Sequence, residues 1–199
     1  MYGKFIVVEG LDGSGVSTQS RMLSKYLASK GLKVHLTKEP TSSIIGSLSK
    51  SVLSKELDLS SKALQLLFCA DRANHLEKEV EPMLAKGINV ICDRYLFSTL
   101  AYGLGSNINY KWLRSINLNF RMPDLGVVID VPVSVSLSRI SEESVGLQLF
   151  DEKEKLQKVR QGYLHIAKEF HLKVVDGTKS IDEVSKQISK ITSRALGIQ

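Results

Sequence analysis

The stretch Gly10-Leu11-Asp12-Gly13-Ser14-Gly15-Val16-Ser17-Thr18 follows an apolar run and precedes a helical pattern. Its glycines let backbone N–H groups curl around an anion, and the helix start that follows adds partial positive charge. The spacing is that of a phosphate loop, G-x-x-x-x-G-K-[ST], with the Ser17 hydroxyl where Mg²⁺ would be bound. One position departs from that pattern: Val16 stands where a lysine would reach the β- and γ-phosphates. Valine offers no cation. Either another cation does this work or phosphoryl transfer is slowed, by roughly 10²–10³-fold for one lost electrostatic stabiliser.

Phe68 and Arg72 are four residues apart in a helical stretch and so share a face. A ring there can stack on a base while the guanidinium donates to a base carbonyl, and such stacking is worth about 1–3 kcal/mol. The alternatives are core packing for Phe68 and a surface ion pair with Glu77 for Arg72. Arg94, just past an apolar run, suits a bidentate hold on a phosphate; the alternative is a structural pair with Asp93. His35, His75, His165 and His171 have no metal-ligand spacing and read as surface or half-buried residues.

These groups need a frame. Five short apolar runs, 4–9, 33–38, 88–93, 126–131 and 172–176, alternate with helical patterns near 15–30, 43–55, 60–86, 96–104, 110–121, 133–142, 150–171 and 181–196. Several runs are nearly continuous in β-branched residues, which predicts parallel strands buried on both faces. Alternating strands and helices make an open α/β sheet with helices on both sides. Each strand ends in polar residues: Glu9, Lys38-Glu39, Asp93-Arg94, Asp130 and Asp176. Ligands of such sheets bind outside the carboxyl ends of the strands, so these groups are expected to converge.

Composition fits this frame. The chain has 199 residues, 43% hydrophobic and 24% charged, with a net charge of +6. That suits one globular domain and excludes the disordered classes. The mild basic excess suits a phosphate-bearing small molecule, and no basic helix or interleaved aromatic–basic strand points to nucleic acid. No apolar run approaches the roughly 20 residues of a membrane span, and the N-terminus does not read as a signal peptide. Cys69 and Cys92 sit in apolar surroundings and read as reduced core thiols of a cytoplasmic protein.

Taken in order, several motifs resemble the thymidylate kinase family of nucleoside monophosphate kinases. They are EGLDGSG, Lys38-Glu39-Pro40, Phe68-Cys69-Ala70-Asp71-Arg72, and Asp93-Arg94-Tyr95 with Ser98-Thr99 and Ala101-Tyr102. Pro123-Asp124-Leu125, Arg139 and the 158–163 stretch continue the series. The resemblance covers nearly the whole chain. It implies a P-loop NTPase-type α/β fold, with an open parallel five-stranded sheet, helices on both faces and a short lid near 140–152. It implies ATP-dependent, Mg²⁺-assisted phosphorylation of dTMP to dTDP by a homodimer. The site residues it implies are the 10–18 loop and Arg139 for ATP, and Ser17 with Asp93 for the metal. For dTMP they are the Glu39-Pro40 turn, Phe68 and Arg72 on thymine, Thr99 beside the base, and Arg94 on the 5′-phosphate. Asp12 corresponds to a carboxylate near the 3′-hydroxyl and Tyr102 to a ring crowding the 2′ position; the bland alternative for Tyr102 is core packing.

The chain also departs from this family. The loop holds no arginine before Gly15, and Ile140–Phe150 contains no arginine or lysine but does contain Glu142 and Glu143. After Pro40, Thr41-Ser42-Ser43 offer only hydroxyls to an acceptor phosphate, which leaves Arg94 the larger share. The nearby cations are Arg139, Lys153, Lys155 and Arg160. Arg139 or Lys153 is expected to take over in part from the missing lysine, against the alternative that Lys153 and Lys155 form a solvated helix face. Two other functions remain open on the sequence: a broader deoxynucleoside monophosphate range, and a nucleotide-binding protein with little transferase activity.

Overall fold

The computed structural model describes residues 2–140 and 148–197, with residues 148–152 described by backbone alone. The lid expected near 140–152 therefore lies almost wholly outside the described side chains. Five strands, β1 Phe5–Gly10, β2 Val34–Lys38, β3 Asn89–Asp93, β4 Leu125–Asp130 and β5 Lys173–Asp176, form one parallel sheet in the order β2-β3-β1-β4-β5. Each of the five apolar runs became a strand, within one residue of the expected bounds.

The strands alternate between two cores. Phe5, Val7, Val90, Cys92 and Val128 face one cluster, which α5 (Leu96–Gly105) and α8 (Gln148–Glu169) cover. Ile6, Val8, Ile91, Val127 and Ile129 face the other, beneath α1 (Val16–Ser29) and α9 (Ile181–Leu196). This two-sided burial of β1, β3 and β4 is why period-two alternation is missing from their sequences, whereas the edge strands β2 and β5 stay partly open. The central strand β1 is fully buried along its length, so its C-terminal end is fixed by packing on both faces.

The helical stretch expected over 60–86 is continuous but not uniform. It runs as α3 (Ser61–His75), a π-helical turn over Leu76–Val80, and α4 (Glu81–Ala85). Pro82 has no N–H to donate, and its ring crowds the carbonyl four residues back, so the helix widens just before it. The remaining helices are α2 (Ile44–Leu53), α6 (Tyr110–Asn117) and α7 (Val133–Ile140). No described helix is long and apolar enough to cross a membrane.

Candidate active site

The glycine loop leaves the end of β1 and enters α1. Gly13 and Gly15 have φ of 72° and 95°, a region that side chains with Cβ rarely adopt. A Cβ on Gly13 would also lie 2.5 Å from the Ser136 carbonyl. Gly15 precedes α1 with no side-chain cap, so the first N–H groups of α1 remain open to an anion. The Ser14 hydroxyl is buried with no hydrogen-bond partner, an orphan polar group inside the loop. Ser17 donates its hydroxyl to Asp93 at the end of β3, so two hard oxygens of the kind Mg²⁺ takes sit side by side. Val16 turns the other way: it is 3% exposed and belongs to the α1–α9 core.

Arg94, one residue past β3, crosses to the loop. Its Nη1 donates to the Gly10 carbonyl at 2.8 Å and its Nη2 to Asp12 Oδ1 at 2.7 Å. Its partner is therefore Asp12 and not the adjacent Asp93. Burial opposes its charge, but Tyr102, Tyr163, Asp12 and Glu9 outweigh that and hold the guanidinium above its usual range. Arg94 has φ of 70°, a strained conformation for a residue with a side chain. Tyr102 donates its hydroxyl to Asp12 Oδ2 at 2.8 Å and accepts from the Asp12 N–H at 3.1 Å. Loop, Arg94 and Tyr102 thus form one hydrogen-bonded wall.

Beneath Arg94 lies Glu9, fully buried near the end of β1. It accepts the backbone N–H groups of Tyr95 at 2.9 Å and Ser98 at 3.2 Å, and the Ser98 hydroxyl. The Tyr163 hydroxyl approaches at 3.2 Å. Burial lifts the Glu9 carboxyl to about 7, although Ser98, Arg94 and the two amides pull it back toward its ordinary range. Sequence marked Glu9 only as a strand end.

The opposite wall is α3. Arg72 is 1% exposed, so a surface pair with Glu77 is excluded. Its Nε and Nη2 reach Glu39 Oε2 at 2.9 and 2.8 Å, Nη1 donates to Asn117 Oδ1 at 2.7 Å, and Nη2 donates to Thr99 Oγ1 at 2.9 Å. Its guanidinium also lies 5.0 Å from the Tyr95 ring and 5.5 Å from the Phe120 ring. Burial pushes against the charge, and the Glu39 carboxylate more than restores it. Phe68 is half-buried, belongs to neither core cluster among the described residues, and faces the same space.

That space is a cleft of about 750 Å³, counted out to its open mouth. Asp12, Glu39, Pro40, Phe68, Arg72, Arg94, Thr99 and Tyr102 all line it. Gln65, Asp71 and Ser98, none of them assigned a role from sequence, line it as well, and so does Lys155, one of the nearby cations read from sequence. Asp71 is a buried anchor: it accepts the Thr41 N–H at 2.7 Å and the hydroxyls of Thr41 and Ser43 at 2.6 and 2.8 Å. Asn117 carried no local signal, since it meets Arg72 only after α6 folds against α3.

Not every strand end converges. Asp130 forms a two-pronged pair with Arg160 at 2.7 and 2.8 Å, and Asp176 folds back on Thr178. Arg160 is thereby engaged by Asp130. Arg139 is exposed and rests on the carbonyls of Gly13 at 3.4 Å and Gly177 at 3.1 Å, which keeps it beside the loop. Lys153 is exposed on α8. His75 corrects the reading of the histidines as surface or half-buried, being 2% exposed. Cys92 is fully buried and Cys69 half-buried, both as free thiols.

A family model described as thymidylate kinase matches residues 8–188. The chain belongs to the thymidylate kinase family. A protein of Pyrococcus horikoshii named probable thymidylate kinase is 40% identical over 203 residues, covering 98% of each chain. One of Methanocaldococcus jannaschii with the same name is 36% identical, covering 92% of this chain and 93% of that one. A thymidylate kinase of Carboxydothermus hydrogenoformans is 38% identical, covering 94% and 96%. Thymidylate kinases are phosphotransferases, and the five-stranded parallel sheet with helices on both faces is a P-loop NTPase-like α/β fold.

Proposed function

We propose that this chain transfers a phosphoryl group from ATP to dTMP, forming dTDP. One observation carries the reading: a single cleft joins the Phe68–Arg72 pair on one wall to Arg94 at the edge of the glycine loop. Thymine lies on Phe68, with a carbonyl toward the remaining Nη1 hydrogen of Arg72 and Thr99 beside the base. Arg94 takes the 5′-phosphate. Asp12 and Tyr102 border the sugar, and the Glu39-Pro40 turn closes the floor. The 10–18 loop and Arg139 hold ATP.

Ser17 and Asp93 are suited to Mg²⁺, which when bound supplies charge neutralisation at the donor phosphates. The open N–H groups of α1 and the orphan Ser14 hydroxyl fit a phosphate chain. The acceptor is already a phosphate oxygen, so no strong general base is required; the chain's work is alignment and placed charge. Arg139 or Lys153 partly replaces the lysine absent at position 16. The protein works as a cytoplasmic homodimer.

The test is ADP release in a coupled assay across a panel of nucleoside monophosphates, with dTDP identified directly. Turnover fastest with dTMP supports the reading. Equal rates with several deoxynucleotides would favour the broader kinase, and tight dTMP and ATP binding without dTDP would favour a binding protein.

A further inference from the structure

A chain of hydrogen bonds runs from β2 into the cleft. The Thr37 hydroxyl lies 2.8 Å from His75 Nε2, and His75 Nδ1 lies 3.0 Å from Glu39 Oε1. The other oxygen of Glu39 takes both Nε and Nη2 of Arg72. All three of His75, Glu39 and Arg72 are buried. Cys92 also lies close, and one ligand-type atom from each of Glu39, His75 and Cys92 falls within 4.8 Å of the others. Each of these atoms is already engaged, with the Cys92 thiol donating to the Arg94 carbonyl at 2.9 Å, so the group reads as a polar network.

We propose that His75 is a positioning residue that sets the plane of the base-reading guanidinium through Glu39. Glu39 Oε2 accepts twice from Arg72, and the ion pair makes Oε1 an acceptor too, so His75 donates from Nδ1 to it. Nε2, on the other edge of the ring, meets the Thr37 hydroxyl at 2.8 Å, so both ring nitrogens are held. Glu79 stands 3.8 Å from Nε2, pairs with His35 Nε2 at 2.7 Å and also accepts from the Thr37 hydroxyl, so Thr37 is the nearer partner of His75 and is itself anchored by Glu79. With Oε1 held by His75, Glu39 keeps Oε2 on Arg72. Asn117 and Thr99 fix two further N–H groups, and the remaining Nη1 hydrogen is left to the cleft. Arg72 therefore meets its ligand with its plane already set.

This inference rests on Arg72 reading the base, as in the function proposed above. Expected results come from steady-state kinetics. His75→Ala raises KM for dTMP about 10-fold while KM for ATP holds. His75→Asn, whose amide nitrogen reaches the place of Nδ1, recovers most of that loss; His75→Gln, reaching toward Nε2, does not. Thr37→Val, which keeps shape but removes the hydroxyl, raises KM for dTMP several-fold. A KM for dTMP that stays at the wild-type value in Thr37→Val overturns the inference, even should His75→Ala fail to fold. So does an equal rise in both KM values, or rescue by Gln and not by Asn. Arg72→Lys separates the two levels. A dTMP KM unaffected by that change removes the base-reading site itself, whereas a weakened Arg72→Lys beside unaffected Thr37 and His75 variants removes only the role of His75.

Discussion

Glu9 should leave a signature in the pH dependence of stability. Its carboxyl is lifted from an ordinary 4.5 to about 7, burial being the largest cause. Between those values the folded protein holds a proton that the unfolded chain has released. The unfolded state then binds fewer protons, so stability falls as pH rises through this window and flattens above about pH 7. At about 1.36 kcal/mol per pH unit, the fall reaches about 3 kcal/mol. The perturbation is Glu9→Gln, which fixes a neutral side chain of the same length among the same donors. The assay is urea unfolding from pH 4.5 to 8 for both proteins, with the difference between the two curves isolating residue 9. Wild type should lose about 3 kcal/mol relative to Glu9→Gln across that range. Parallel curves would refute the burial argument and mean that the amides of Tyr95 and Ser98 hold the carboxylate charged throughout.

Three further outcomes follow from the site. Phe68→Ala should raise KM for dTMP about 5- to 150-fold, from about 1–3 kcal/mol of lost stacking, with KM for ATP unchanged; no change in KM for dTMP would move the base elsewhere. Arg139→Ala should lower kcat by up to roughly 10²-fold, with Lys153→Ala adding to it, since Arg139 rests on the Gly13 carbonyl. Full turnover in both variants would end the idea that either takes over from the lysine. Val16→Lys should raise kcat but lower stability by about 1–3 kcal/mol, because Val16 sits in the apolar core under α1. No gain from a folded variant would mean that the donor phosphates lie elsewhere.

What sequence revealed and what it hid divide along the separation of partners. The three inner strands were legible because burial on both faces writes itself as near-continuous Val and Ile. The glycine loop was legible because its phosphate geometry needs residues in one contiguous run. Phe68 and Arg72 announced themselves by helical spacing, but the partners of Arg72 did not. Glu39 and Asn117 lie 33 and 45 residues away and meet it only once α6 and the β2 end close on α3. His75 was misread for the same reason: a lone histidine near a helix end carries no local sign that Thr37 and Glu39 will enclose it. Asp130 looked like a site carboxylate because it ends a central strand, yet Arg160 from α8 takes both of its oxygens. The π-helical turn before Pro82 was hidden because five residues are too few for a change of helical phase to show in the sequence pattern.

The most direct test is a crystal structure of the protein soaked with dTMP and a non-hydrolysable ATP analogue. The expected map has the pyrimidine on Phe68 with a carbonyl at Arg72, the 5′-phosphate on Arg94, and the β-phosphate in the 10–18 loop. A pyrimidine bound away from Phe68, or a loop that holds no phosphate while the analogue is seen elsewhere, would contradict it.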